Sequence, residues 1–355
     1  MADAATLPVT GARPSIEIEG KRDATLTSGL MSLLVVDTAD GLARCELMFG
    51  NWGGPERAGF QHFGRDQLEF GKALKVTLDT ATLFDGRITA IAATFPDGGP
   101  PQVGVCAEDR LQDLRMTRRT RSFSDASLGD VLQRIASDHG LQAQVDASGE
   151  TYKLLAQVNQ SDLAFARDLA RREDAQVWVE GTTLKAATRS RRQATSLELS
   201  WAGQLREFHV SADLAHQRTK LIGAGWNVAD KEAAKHEADE AAVRAELNGG
   251  DGGATTLQRA FGERADTLAH AVPASGAQAR ALAEASFRHL ARRFVVGRGV
   301  AETKPELRVG AKLTITGVGN LFQGEYTVTD IAIRYDAAAG LRTEFVCDRP
   351  AIGRP

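Results

Sequence analysis

The chain has 355 residues, 43% hydrophobic and 25% charged, with 43 Lys+Arg against 46 Asp+Glu and a formal charge of -3. Those are ordinary globular proportions, so disorder and low complexity are excluded, and the length implies two or three compact units. Balanced charge argues against nucleic acid or an anionic membrane as the main partner.

Residues 1–14 are small, polar and proline-containing and are expected to form a flexible N-terminal arm. Ile16-Glu17-Ile18-Glu19-Gly20, Leu42–Phe49 and Leu74–Leu78 alternate apolar and polar side chains between Gly and Asp clusters, the pattern of half-buried antiparallel strands. Phe84–Ile91 adds a turn and a strand, Phe95–Pro101 is a loop, and Gln102–Ala107 is another strand. Residues 15–108 therefore read as a first β-barrel domain.

The character changes at Asp109. Ser124 or Asp125 is placed to cap a helix whose Leu128, Val131, Leu132 and Ile135 form one apolar stripe, and Gly140 ends it before an extended Leu141–Val145. A second helix starts at Ser161 as N-cap, with Leu163, Ala164, Phe165, Leu169 and Ala170 facing inward and Arg167, Arg171, Arg172 and Glu173 facing outward. Gln176–Glu180 and Thr183–Ala186 form a hairpin across Gly181, making 109–187 an α+β domain.

Strands return in Leu197–Trp201, Leu205–Val210 and Thr219–Trp226. The alanine-rich, charged stretch 229–292 predicts a helix over Ala229–Leu247, a glycine break at Gly249–Gly253 and another helix over Ala277–Arg293. Strands resume at Phe294–Val300, Lys312–Thr316, Gly324–Tyr335 and Gly340–Cys347, the last two joined by a hairpin at Asp336–Ala339. The fold class is α+β and β-rich: two β-barrel domains with an α+β domain between them. Residues 188–228 and 293–355 form the second barrel, and 229–292 is a helical insertion in it.

No constellation of reactive residues stands out, so no catalytic, cofactor-binding or metal residue is assigned and no cofactor is expected. Gly223-Ala224-Gly225 follows a strand but lacks the third small residue of a dinucleotide loop. Gly317-Val318-Gly319 with Gly324 lacks the Lys-Ser/Thr end of a phosphate loop and reads as a turn. His236-Glu237 has Glu240 where a zinc motif needs a second histidine, and Asp239-Glu240 reads as a solvated helix face. The basic run Arg115–Arg121 has one aromatic neighbour, Phe123, too few for a stacking platform, and reads as a loop before a capped helix. Cys45, Cys106 and Cys347 form no C-x-x-C pair and read as buried thiols. No run approaches 18 apolar residues, and Leu30–Val36 has neither the basic start nor the cleavage site of a leader, so no signal peptide and no stable membrane insertion are expected.

Several segments together nevertheless resemble one family. They are Phe84-Asp85-Gly86-Arg87-Ile88, Val105-Cys106-Ala107-Glu108-Asp109-Arg110-Leu111 and Thr117-Arg118-Arg119-Thr120-Arg121-Ser122-Phe123, then Ile135-Ala136 with Gly140-Leu141. The most specific is Gln157-Val158-Asn159-Gln160-Ser161-Asp162-Leu163-Ala164-Phe165, continuing to Ala170. Gly324-Glu325-Tyr326-Thr327-Val328 and Tyr335-Asp336 through Thr343-Glu344-Phe345 close the series. In this order they are similar to the phage late control D proteins, which include contractile-tail hubs and the hub part of VgrG spikes. Gln160 stands where that family often has Glu.

The resemblance implies a non-enzymatic structural hub of a phage tail or phage-like injection baseplate, assembled in the bacterial cytoplasm. Each chain would supply two tube domains, and a homotrimer would ring a channel, joining the hexameric inner tube protein to a trimeric spike among neighbouring baseplate proteins. The chain shows no β-helix repeats, so the spike is expected to be a separate protein. Two alternatives from other classes are a peptidoglycan-degrading tail enzyme and a cargo-binding adaptor acting through 229–292.

Overall fold

Apolar and polar residues alternating along Ser15–Glu108 put every second side chain on one face of a strand, and the strands pair so that this face is shared. The computed structural model describes residues 13–53, 59–147, 149–228, 230–270 and 272–354. The arm expected over residues 1–14 lies, up to residue 12, outside the described residues. The chain divides into two compact units: Met1–Asp109, Val300–Arg308 and Asp330–Phe345 make the first, and Arg110–Gly299, Val309–Thr329 and Val346–Pro355 the second.

The first unit holds β1 (Ser15–Ile18), β2 (Lys21–Arg22), α1 (Ala24–Gly29), β3 (Leu30–Thr38), β4 (Arg44–Gly50), β5 (Trp52–Gly53), β6 (Gly59–Phe60), β7 (Ala73–Leu78), β8 (Ala81–Thr94) and β9 (Gln102–Glu108). Its sheet runs β3–β4–β9–β8–β7–β1–β2 with antiparallel neighbours, while residues 330–336 pair with the other edge of β3. Leu33, Val35, Cys45, Leu47, Leu74, Val76, Ile88 and Val105 are each at most 3% exposed and make its core. A slip of one residue in any pairing would turn that strand's apolar set to water. Among the described residues no strand pairing closes a barrel.

The second unit opens with α2 (Leu111–Met116), β10 (Arg118–Ala126), α3 (Leu128–Asp138), β11 (Gln142–Asp146), β12 (Tyr152–Ser161), α4 (Asp162–Arg172), β13 (Ala175–Glu180) and β14 (Thr183–Thr188). It continues through β15 (Ser196–Ser200), β16 (Leu205–Ala212), β17 (Lys220–Asn227), β18 (Glu232–Ala238), a 3-10 helix (Glu240–Glu246), β19 (Asp251–Gly252), α5 (Gly253–Phe261), β20 (Ala265–Thr267) and α6 (Gly276–Arg292). The last strands are β21 (Val295–Glu302), β22 (Lys312–Thr316), β23 (Gly324–Asp336), β24 (Gly340–Arg349) and β25 (Ala351–Ile352), and β21, β23 and β24 contribute residues to both units. β10 and β12 form an antiparallel ribbon, and β11 lies parallel to β14, which pairs antiparallel with β13. β15 runs parallel to β22, and β17 is flanked by β18 and β20.

Three local expectations change. The cap of α3 is Ser127, in a capping box with Asp130, whereas Ser124 and Asp125 end strand β10. The cap must sit one residue before the first helical turn so that its oxygen reaches the N3 amide, and only Ser127 has that offset. Ala164 is exposed, and Ala166 takes its place on the buried face of α4. The helix expected over Ala229–Leu247 is instead β18 followed by the 3-10 helix, Ala229 itself lying outside the described residues. Alanine favours helix only weakly, and pairing along β17 with Ala234 and Ala238 buried overrides it.

Candidate functional site

The segment carrying the sequence resemblance most specifically, Gln157–Ala170, contains a buried carboxylate. Ser161 caps α4 by accepting from the Ala164 amide at 3.1 Å, as its offset dictates, and this places Asp162 in the first helical turn. Asp162 is fully buried. Its Oδ1 accepts from Gln157 Nε2 at 2.8 Å and Arg121 at 3.1 Å, while its Oδ2 accepts from Arg119 at 3.0 Å and lies 2.8 Å from His139 Nε2. Burial alone would raise its pKa, but the hydrogen bonds from Gln157, His139 and Arg119 and the charge of Arg121 hold it below the ordinary carboxylate value. Four groups from β10, the end of α3 and β12 therefore converge on one helix start.

The same partners explain the neighbouring motifs. Of the basic run expected as a loop, Arg115 lies in helix α2 and Arg118–Arg121 in strand β10, where Arg119 and Arg121 share one face. Arg119 and Arg121 reach Asp162, and Arg118 donates to the Asn159 carbonyl at 2.8 Å. Arg121 also covers the ring of Phe123, which stacks on Phe165 at 5.8 Å between centroids. In Phe84–Ile88, a Cβ on Gly86 would lie 2.3 Å from the Glu108 carbonyl oxygen, so glycine is required where β8 closes on β9. Asp109 exchanges two bonds with Ala43, its amide donating at 3.0 Å and its carboxylate accepting at 2.8 Å. Tyr326 is buried, donates to the Phe322 carbonyl at 2.5 Å and lies under Arg349. Asp336 accepts from the amides of Ala338 and Ala339 and so closes the turn between β23 and β24.

A second buried ion cluster was not legible in the sequence. Arg292, in the last turn of α6, binds Asp174 at 2.5 and 2.8 Å and Glu246 at 2.7 and 2.8 Å. Both carboxylates outweigh the burial that disfavours its charge, so its pKa is raised. Arg189 pairs with Asp348 through two bonds of 2.6 and 3.2 Å. Each pair joins residues more than 40 positions apart, a distance over which no local pattern signals a partner.

The remaining candidates are placed as follows. Gly223, Ala224 and Gly225 lie inside strand β17, where a Cβ would fall 2.7 Å from the Ala279 carbonyl oxygen at Gly223 and 2.0 Å from that of Pro273 at Gly225. These glycines admit close backbone approach rather than a phosphate. Gly317 and Gly319 have positive φ in the turn between β22 and β23. His236 lies on β18, 3.7 Å from Glu284 of α6, while Glu240 begins the 3-10 helix and accepts from the amide and hydroxyl of Thr255. Cys45 and Cys347 are buried, and burial pushes both thiols well up. Among the described residues no group of three or more His, Cys, Asp or Glu is placed to hold a metal ion. A cavity of about 160 Å³ between β12 and α4 is lined by Leu154, Leu155, Phe165 and Leu169, with Asp168 its one carboxylate. Among the described residues no helix is long and apolar enough to cross a membrane.

With this geometry in view, the chain is similar in structure to a prophage MuSo2 43 kDa tail protein from Shewanella oneidensis, at TM-score 0.72 and 11% identity, covering 95% of this chain and 98% of that one. A tail protein from Neisseria meningitidis gives 0.68 and 11%, covering 95% and 96%. An E. coli type VI secretion component, described as structurally similar to the T4 bacteriophage tail proteins gp27 and gp5, gives 0.59 and 11%, covering 96% and 79%. The chain thus has a phage tail protein fold over almost its whole length. No curated protein sequence matches it. A family model described as the Alg8 N-terminal domain matches residues 12–336. By that match, which takes in most of the sequence, the chain belongs to the Alg8 N-terminal domain family.

Proposed function

We propose that the chain is a structural, non-enzymatic hub of a contractile tail or phage-like injection baseplate, of the late control D type. Three copies ring a channel, each supplying two tube-like β regions, and the ring adapts a hexameric inner tube to a trimeric spike. The observation that carries this reading is the fold shared with tail proteins along almost the full length of both chains. The late control D motifs add support, because each one described above braces the fold: Gln157–Asp162 anchors α4, Gly86 lets two strands close, and Asp336 shapes the final hairpin.

A closed ring gives a defined copy number, whereas a contact that does not close would grow into a filament. Native mass spectrometry of the full chain at micromolar concentration tests the reading. A trimer is expected, and a monomer at every concentration overturns it.

A further inference from the structure

Low aromatic content makes the hairpin of β5 and β6 unusual. The whole chain has 4 Trp and 14 Phe, yet Trp52, Phe60, Phe63 and Phe95 stand together in water at 50%, 53%, 40% and 63% exposure. They touch one another: Trp52 meets Phe60 edge-on at 5.3 Å between centroids, Phe63 lies 4.8 Å from Phe60, and Phe95 lies 6.2 Å from both phenylalanines.

The cluster is held out rather than left loose. Buried Asn51 accepts from the amides of Gln61 and His62 at 3.0 and 2.7 Å. His62 Nδ1 bonds Gln67 at 2.8 Å, Gln67 donates to Asp23 at 2.8 Å, and Asp23 caps α1 through the Leu26 amide. Gln61 donates to the Gly53 carbonyl across the hairpin at 2.5 Å. This chain of polar groups fixes the strands beneath the rings, so the rings keep their outward position without a partner and lose little freedom on meeting one.

Two quantities point to the partner. Four aromatic side chains of 150–250 Å² each, about half exposed, offer roughly 400 Å² of apolar surface. A standard interface buries about 800 Å² per partner, somewhat over half of it apolar, so the cluster matches the apolar part of one such contact. The segment 50–64 carries one charge of each sign, Glu56 and Arg57, and so has no net charge. A segment with no net charge meets a copy of the same protein without net like-charge repulsion, and it has no cluster of cations to hold an anionic membrane or nucleic acid.

We propose that the Trp52–Phe60–Phe63–Phe95 cluster is a subunit-contact surface and that its occupant is a second copy of this chain. The inference rests on the ring reading above and names the surface through which neighbouring copies meet. Sedimentation velocity of the full chain tests it with wild type, Trp52→Ser and the double variant Phe60→Ser/Phe95→Ser, with Trp226→Ser, an exposed tryptophan of the second unit, as control. Wild type and Trp226→Ser are expected to be trimers, and both cluster variants to associate at least tenfold more weakly.

Cluster variants that remain trimers as tight as wild type overturn this proposal and leave the ring reading standing. A wild type that is monomeric throughout overturns both. A photo-crosslinking benzoylphenylalanine at position 60 gives a second readout with an aromatic ring retained. Covalent dimers support the contact, and a monomer band alone overturns it.

Discussion

Asp162 is buried yet charged, which is tolerable only because four donors surround it. Asp162→Asn should therefore destabilise the fold by about 3 kcal/mol at pH 7, since it takes away the carboxylate charge that Arg119 faces and leaves Arg121 only its pairing with Asp138. The aspartate's pKa is depressed, so its contribution is present above the ordinary carboxylate value and is lost as pH falls through the folded one. Urea unfolding at pH 7 and pH 3 should show the gap between wild type and variant narrowing in acid.

Glu173 behaves oppositely. Burial first, and the nearby charge of Glu150, push it up to about 7, while hydrogen bonds from the Glu150 amide and Tyr152 pull the other way. Tyr152, buried beside it, is raised to about 12. The folded state then binds the Glu173 proton more tightly than the unfolded chain, so stability falls as pH rises from about 4.3 to 7. The midpoint difference between Glu173→Gln and wild type should be near zero at pH 4.5, grow in favour of the variant and level off above pH 7. A difference that is constant over that range would contradict the assignment. The Ser161 cap was legible in the sequence because capping is local. The burial of Asp162 was not, since its arginines arrive from 43 and 41 positions upstream.

Among the elements, those with strong periodicity were readable: α3 and α4, the hairpin across Gly181 and the closing strands stand within a few residues of their expected places. The largest misreading has a tertiary cause. Local composition was consistent with a structure that a distant partner overrode, as where alanine-rich β18 pairs along β17 and buries Ala234 and Ala238. Three substitutions probe this scale. Ser127→Ala should lower stability by about 1 kcal/mol, while Ser124→Ala, on exposed strand surface, should change it little. Thermal melts of both distinguish a cap at 127 from one at 124. Gly225→Ala forces a Cβ against the Pro273 carbonyl and should destabilise by about 1–3 kcal/mol or prevent soluble expression. Unchanged melting would show that the β17 approach is looser than its geometry.

For the whole molecule, sequence and structure agree on a β-rich chain. The reach of the sequence stopped at the assembly, because a contact between copies leaves no periodicity in one chain; it leaves exposed apolar side chains, and the four rings around Trp52 are such a group. The hub account claims that identical copies enclose a passage. Electron microscopy of the purified full chain tests that claim most directly: class averages viewed down the axis should show a threefold ring with an open centre, and particles that are single copies, or assemblies without a central opening, would contradict it.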